Sequence, residues 1–596
     1  MSTAIVTGQP VPGSSLEGDL RELGFDVRLA PGPRDAEAAL AAVPGDERVA
    51  VVDAGFVGHV HALRLGLTDP RFAVAAVPGA VTAKAEARQA LSRAAHASGI
   101  TPDALAAGLE ASGTAVHRPD LGELVAVVAS DPQSRNEARQ AVAAVDDEAF
   151  RLRTAVKARD GFFTTHFISP YSRYVARWCA RRGLTPNQVT TASLLTALIA
   201  AAGAATGTRV GFVAAGVLLL ASFVLDCTDG QLARYSLQYS TLGAWLDATF
   251  DRAKEYAYYA GLALGAAHAS GGGDDVWALA LGAMILQTCR HVVDFSFNEA
   301  NAGDPAATAN TSPTAALSDR LDSVGWTVWL RRMIVLPIGE RWALIAVLTA
   351  LTTPRITFYA LLVGCAFAAC YTTAGRVLRS LTRKAERTDR AARALADLAD
   401  CGPIAEAVGR AGRLAKAGLA PVLAAVGAVA VVTVSGLTHF GGPWPAVAAA
   451  GYCLTSGLAV ARPLRGALDW LVPPLFRAAE YLTILLLAAR ADVNGALPAA
   501  FGLVAAVAYH HYDTVYRIRG DAGAPPHWLV RAIGGHEGRT LLVTVLAAAC
   551  APADFTVALT VCAVLVALVV LAESISFWVS AHQRGAPAVH DEGEPA

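Results

Sequence analysis

The chain has 596 residues, with 49 Lys and Arg against 50 Asp and Glu, 54% apolar residues and only 17% charged ones. That balance excludes a disordered chain, a collagen-like chain and a small disulfide scaffold, and without a basic surplus a nucleic-acid partner is not expected. Soluble chains carry roughly a quarter charged residues, so the deficit points to a large fraction of the chain lying in lipid.

The opening MSTAIVTGQPV has neither the basic start nor the long apolar core of a signal peptide, so insertion is expected through internal helices with the N-terminus in the cytosol. Residues 1–148 alternate short apolar runs with helical patterns. Strands are predicted at Ala4–Thr7, Asp26–Ala30, Val49–Asp53 and Phe72–Val77, and helices at Ser15–Leu23, Asp35–Ala42 and Ala83–Ala97. Strands alternating with helices imply a cytosolic α/β domain built on a parallel sheet. Residues 149–187 follow as an amphipathic segment, in which Arg173, Arg177, Arg181 and Arg182 are interspersed with apolar residues, as suits a helix on the cytosolic membrane surface.

Six apolar segments come next, near 188–206, 210–226, 242–266, 275–294, 340–353 and 356–375, most of them close to the roughly 20 residues that a spanning helix needs. Basic residues gather before the first, between the second and third, and around the fifth, which puts both ends of this unit (188–380) on the cytosolic side. A basic connector, 381–402, leads to a second membrane unit, 403–580. Its apolar segments lie near 417–437, 445–461, 474–489, 497–516, 540–553 and 555–578, with Pro473 and Pro474 expected to interrupt the third. A polar tail, 581–596, reads as disordered. The predicted architecture is therefore a polytopic α-helical membrane protein of about 12 transmembrane helices in two six-helix halves, with the α/β domain and both termini in the cytoplasm. Nine scattered cysteines without CxxC spacing read as buried hydrophobes rather than as zinc ligands or a redox pair.

The chemistry concentrates between the second and third segments, in LDCTDGQLARYSLQYSTLGAWLDATFDRAKEY. Asp226 and Asp229 are three apart and Asp247 and Asp251 four apart, so each pair projects from one face of its helix. A short turn would let the two pairs face each other. Carboxylates at a membrane interface repel one another and resist desolvation, and a hard divalent cation such as Mg²⁺ relieves both penalties. Two such ions could clamp the oxygens of a phosphoryl displacement. Gly230 and Ala233 remove side-chain bulk beside the acids, Gly243 allows close helix packing, and Arg234 can pair with a phosphate.

The segment resembles the CDP-alcohol phosphatidyltransferase signature D-x2-D-G-x2-A-R-x8-G-x3-D-x3-D, matching at Asp226, Asp229, Gly230, Ala233, Arg234, Gly243, Asp247 and Asp251. LTPNQVT, Leu184 to Thr190, is similar to the family's entry into its first membrane helix. The stretch from KARDGFF to NQVT resembles the archaeal branch in which a cytidylyltransferase is fused to a di-inositol-phosphate-phosphate synthase. The resemblance spans about residues 155 to 380 and implies a plasma-membrane transferase of phospholipid or polyol-phosphate synthesis, with its active site on the cytoplasmic face. It implies two Mg²⁺ ions, with Mn²⁺ as the alternative, on Asp226, Asp229, Asp247 and Asp251. Asp251 would be the general base toward a hydroxyl acceptor, which attacks the β-phosphorus of a CDP-alcohol donor and releases CMP. Asn187, Thr190, Gly230, Ala233, Arg234, Ser240 and Gly243 would contact the donor, and a homodimer packed through membrane helices is implied.

Arg290, Arg332 and Arg341 flank the fourth and fifth segments and are candidates for a phosphate on the acceptor, with snorkelling interface arginines as the equal alternative. The N-terminal domain resembles a nucleotidyltransferase, but TGQPVPGSSLEGDLR offers Gly8 and Gly13 with no basic side chain before Arg21, so a degenerate or regulatory unit is expected. Asp53 could bind a metal or cap a helix there. In the last part, which resembles an uncharacterised domain fused to such enzymes in actinobacteria, Glu480, His510, Asp513, Arg517, Glu537 and Arg539 form a candidate second site, alongside Arg477 and His511, with a salt-bridged interfacial anchor as the alternative. The reading from another function class is a membrane transporter or scaffold for a lipid-linked product whose aspartates bind nucleotide without catalysis.

Overall fold

The computed structural model describes residues 2–157, 160–271, 275–302, 333, 335–382 and 387–412, and then 420–583. Its N-terminal part comprises β1 (Ser2–Thr7), α1 (Leu16–Glu22), β2 (Phe25–Ala30), α2 (Pro33–Ala41), β3 (Arg48–Asp53), β4 (Phe56–Gly58) and α3 (Val60–Leu67). It continues through β5 (Val74–Val77), β6 (Ala80–Ala83), α4 (Arg88–Ser98), α5 (Pro102–Ala111), β7 (Ala126–Val128), α6 (Pro132–Ala143) and α7 (Asp147–Thr154). The main sheet runs β2-β1-β3-β6-β5. β1 pairs in parallel with β2 and β3, as alternation with helices dictates, but β6 is antiparallel to both β3 and β5. The sheet is therefore mixed rather than parallel. Pro78 and Gly79, the latter at φ +75°, turn the chain back on itself after β5, so one apolar run becomes two strands. Central strand residues such as Ile5, Val49 and Val51 are fully buried.

A π-helical turn (Thr164–Ile168) leads into α8 (Ser169–Arg181), which exposes Tyr171, Tyr174 and Trp178 beside its arginines, as an interfacial helix does. The first membrane unit is α9 (Pro186–Ala205), α10 (Arg209–Ser236), α11 (Thr241–Ser270), α12 (Asp275–Asn301), α13 (Ile338–Leu351) and α14 (Pro354–Thr382). The remainder contains α15 (Asp389–Ala399), α16 (Pro403–Ala411), α17 (Ala420–Leu437), α18 (Trp444–Ala459), α19 (Val472–Ala491) and α20 (Ala496–Arg519), then α21 (His527–Ala532), α22 (Gly535–Ala549) and α23 (Pro552–Gln583). Each predicted apolar segment coincides with a helix. Among the described residues seven helices are long and apolar enough to cross a membrane, and with the family assignment given below they make the chain a multi-pass membrane protein. Five of the twelve expected spans fall outside that set: α11 and α20, which carry charged and other polar side chains, and α13, α18 and α22, which are only 14, 16 and 15 residues long. Large apolar side chains face outward, with Val363 70% and Leu568 61% exposed, as a lipid-facing surface requires.

Pro473 and Pro474 do not interrupt a helix: they occupy the first turn of α19, where a missing N–H breaks no bond. The stretch expected as a connector contains α15, whose Leu395 and Leu398 are fully buried. Most of the 581–596 tail lies outside the described residues.

The two membrane units are packed together. α12 lies against α14 and, across the boundary, against α19 and α20, while α11 lies against α9 and meets α20 and α23. His291 Nδ1 of α12 is 2.6 Å from the Tyr512 hydroxyl of α20.

Candidate active site

α10 runs without a break through Asp226 and Asp229 and stops at Leu237, which takes a left-handed conformation (φ 52°). Ser240 then starts α11: its Oγ accepts from Gly243 N at 2.9 Å, an N-cap. This four-residue link, 237–240, lets α10 and α11 both pack against α9, and the aspartates meet. Carboxylate oxygens of Asp226, Asp229 and Asp247 all lie within 4.8 Å of one another. Asp229 is 4% exposed, and among the described residues its Oδ2 is buried without a hydrogen-bond partner. Three hard oxygen donors converging around an orphaned buried oxygen fit a divalent cation of the Mg²⁺ type.

Asp251 adjoins the trio through Asp226 and shares a cation with it. Its Oδ1 is 2.8 Å from Nζ of Lys254, which also pairs with Asp226. Lys254 is completely buried. Nothing in the reading of the sequence singled it out, although its position one turn after Asp251 places it on the same helix face. Next to it, Glu255 is held by Arg252 Nη1 at 2.9 Å, by Arg341 Nε at 3.2 Å and by the Tyr259 hydroxyl at 2.7 Å.

The predicted donor residues surround the cluster. Asn187 lies in the first turn of α9 against Gly243, where an added Cβ would come within 2.7 Å of its Oδ1. Thr190 faces Asp229. A Cβ at Gly230 would meet nothing nearer than the Arg234 guanidinium at 3.5 Å, and Arg234 Nε donates to the Ala155 carbonyl at 2.5 Å. Ala233 shares that helix with Gly230, and Ser240 serves as the cap just described. The N-terminal domain also reaches this link, since the Arg71 guanidinium lies 3.9 Å from the ring centroid of Tyr239 and Arg151 4.0 Å from that of Tyr235. Burial raises the Tyr239 phenol above its ordinary range, with Arg71 opposing. In the preceding loop burial likewise pushes the Asp160 carboxyl up, against a 2.8 Å hydrogen bond from Gly161 N and the charges of Lys157 and Arg234.

The acceptor candidates are placed unevenly. Arg341 is 2% exposed and ion-paired with Glu255, Arg290 Nη2 donates to the Val335 carbonyl at 2.5 Å, and Arg332 lies outside the described residues.

These features agree with what the chain is similar to. Residues 183–369 match the model of the CDP-alcohol phosphatidyltransferase family. The chain carries a CDP-alcohol phosphatidyltransferase domain. Residues 389–596 match a family of unknown function, DUF5941. The chain is 37% identical over 113 residues to a bifunctional IPC transferase and DIPP synthase of Thermococcus kodakarensis, covering 19% of this chain and 25% of that protein. It is 37% identical over 125 residues to the phosphatidylinositol phosphate synthase of Mycolicibacterium smegmatis, covering 21% and 53%. To the archaetidylinositol phosphate synthase of Pyrococcus horikoshii it is 34% identical over 91 residues, covering 15% and 47%. It thus spans between a quarter and about half of the length of these relatives.

The candidate second site divides in two. Asp400, which ends α15 at φ 52°, gathers Arg477 Nη2 at 3.0 Å, Arg539 Nη2 at 2.7 Å and His510 Nε2 at 3.1 Å, and Glu480 pairs with both arginines. Asp513 and Arg517 instead pair with each other at 2.9 Å, and Arg517 reaches Glu573 of α23 at 2.6 Å. Glu537 caps α16 by accepting from Gly402 N and Ala405 N, each at 3.0 Å. Asp400 and Glu573 were not anticipated; a carboxylate inside the apolar run LVVLAESISFWV was the available signal for the second.

Proposed function

We propose that this protein is a Mg²⁺-dependent CDP-alcohol phosphotransferase that moves a substituted phosphate from a CDP-alcohol to a hydroxyl acceptor and releases CMP, in phospholipid or polyol-phosphate synthesis. The observation that carries this reading is the convergence of Asp226, Asp229 and Asp247 beside Asp251, which is ion-paired with Lys254. Asp226, Asp229 and Asp247 would hold the cation. When bound, it supplies positive charge to the diphosphate and to the phosphate oxygen that leaves with CMP.

The residues of the chain divide the remaining work. Asp251, ion-paired with Lys254, takes the proton from the acceptor hydroxyl, whose oxygen attacks the β-phosphorus as the bond to CMP breaks. Gly230 and Ala233 leave room for a flat base against α10, and Asn187 closes the pocket from α9 beside Gly243. The plasma membrane, with the site and both termini on the cytoplasmic side, is the setting this reading takes. Inositol-type acceptors follow by analogy with the named relatives, and residues 1–148 are read as a degenerate nucleotidyltransferase-like unit. In support of the latter, Asp53 Oδ1 is engaged by Gly55 N at 2.7 Å in a turn.

The test is CMP release by the detergent-solubilised chain with Mg²⁺, comparing CDP-diacylglycerol with CDP-inositol across polyol and polyol-phosphate acceptors. Acceptor-dependent CMP from one donor is expected. No CMP from either donor, with wild type equal to Asp251→Asn, overturns the reading in favour of a binding or transport role.

A further inference from the structure

Lys254 is a fully buried cation set inside the carboxylate cluster, and four helices fix it there. Its Nζ pairs with Asp226 of α10, lies 2.8 Å from Asp251 Oδ1 on its own helix α11, donates to Ser193 Oγ of α9 at 3.2 Å, and sits 5.4 Å from the Trp342 ring centroid of α13. Ser193 is itself tied to Ser222, oxygen to oxygen at 3.1 Å. A buried ammonium needs this degree of pairing to offset its desolvation.

The same geometry divides the four carboxylates. Asp226, Asp229 and Asp247 bring ligand atoms within 4.8 Å of one another, while Asp251 meets Asp226 and shares the ammonium with it. One divalent ion on the trio together with the ammonium leaves the four acids a single negative charge short of neutrality, ready to accept a bound alcohol. A second divalent ion would reverse the sign. It would also need the Asp226 and Asp251 oxygens that the ammonium holds, at a metal–oxygen distance of roughly 2.0 to 2.1 Å, which places two cations in repulsive contact.

We propose that the Lys254 ammonium takes the place of a second metal ion, so that this domain holds one divalent cation, on Asp226, Asp229 and Asp247, and orients Asp251 by an ion pair instead of a metal bond. The proposal rests on the reading of these aspartates as a metal site. Lys254 is a positioning residue that acts through Asp251.

Mn²⁺ is the probe, added to the purified full-length protein with CMP present, with bound Mn²⁺ counted by equilibrium dialysis and its electron paramagnetic resonance spectrum recorded. The wild type should bind one Mn²⁺ per chain with an uncoupled spectrum. Lys254→Met, which keeps the side-chain length and removes the charge, should bind two and show the spectrum of a spin-coupled pair; Lys254→Gln repeats the measurement should the first variant fail to fold. Asp229→Asn should lose the single Mn²⁺. Two Mn²⁺ in the wild type, or one in both the wild type and Lys254→Met, overturns the role of Lys254 while leaving CMP release untouched. A wild type that binds no Mn²⁺ and releases no CMP overturns the metal reading itself, and this proposal with it.

Discussion

The indole of Trp245 stacks on that of Trp578, with 6.2 Å between ring centroids and 21° between planes, so α23 lies against the helix that carries Asp247 and Asp251. Two turns along α11, the Arg252 guanidinium is 5.4 Å from the ring centroid of Tyr512. Trp578 is held in turn by Asp513, which accepts its Nε1–H at 2.7 Å. The acids occupy one side of α11, and α20 and α23 brace the other.

Trp578→Ala should therefore act on catalysis from outside the site. Removing a buried indole costs on the order of 3 to 5 kcal/mol. Thermal unfolding in detergent should move down accordingly, and turnover should fall more than donor affinity.

Asp251→Asn keeps the size of the side chain and removes its capacity to take a proton. CMP release should drop by about 10²- to 10⁴-fold, while binding of the CDP-alcohol, followed by calorimetry, stays measurable. Unchanged turnover would exclude Asp251 as the base.

Gly243→Ala places a methyl group within 2.7 Å of Asn187 Oδ1 and 2.8 Å of Ser240 Oγ. One of the two has to move. The expected outcome is a loss of about 1 kcal/mol from the α11 cap and a several-fold rise in KM for the donor, with kcat less affected.

Asp400→Asn leaves Arg477 and Arg539 short of a counter-charge in a buried setting, which costs about 3 to 5 kcal/mol. Burial alone would raise the Asp400 carboxyl, but Arg477, Arg539 and His510 hold it well below the usual carboxylate range. A depressed carboxylate contributes stability above its unfolded value, near 3.9, and loses it only as pH falls through the folded one. Between pH 5 and 8 the difference in melting temperature between wild type and variant should thus be constant.

His61 loses stability in the same direction but in a higher window. Burial, reinforced by Arg151, Arg64 and His59, lowers its pKa to about 3 from an ordinary 6.5. The unfolded chain binds the proton first, so stability is full above pH 6.5 and declines as pH falls from 6.5 toward 3, by a few kcal/mol in total. Amide exchange across α3 should accelerate progressively below pH 6.5 in the wild type and respond less in His61→Leu.

The aspartate motif was legible in the sequence because helix periodicity alone puts three- and four-residue spacings on one face. Lys254 has the same spacing from Asp251, yet it lies past the last fixed position of the signature, and only the fold shows that its nitrogen turns inward. His510, Asp513 and Arg517 do share a helix, as their spacing predicts. Their division between Asp400 and Glu573 depends on pairings 110 and 56 residues apart, which no local pattern encodes. The reversal of β6 had a local signal, the Pro78–Gly79 turn, hidden inside a continuous apolar run.

The bracing of α11 has a consequence for dilution. The helices that support it belong to the same polypeptide, so their effective concentration is set by the tether and not by how much protein the bilayer holds. Extraction into detergent at low protein density leaves that support intact.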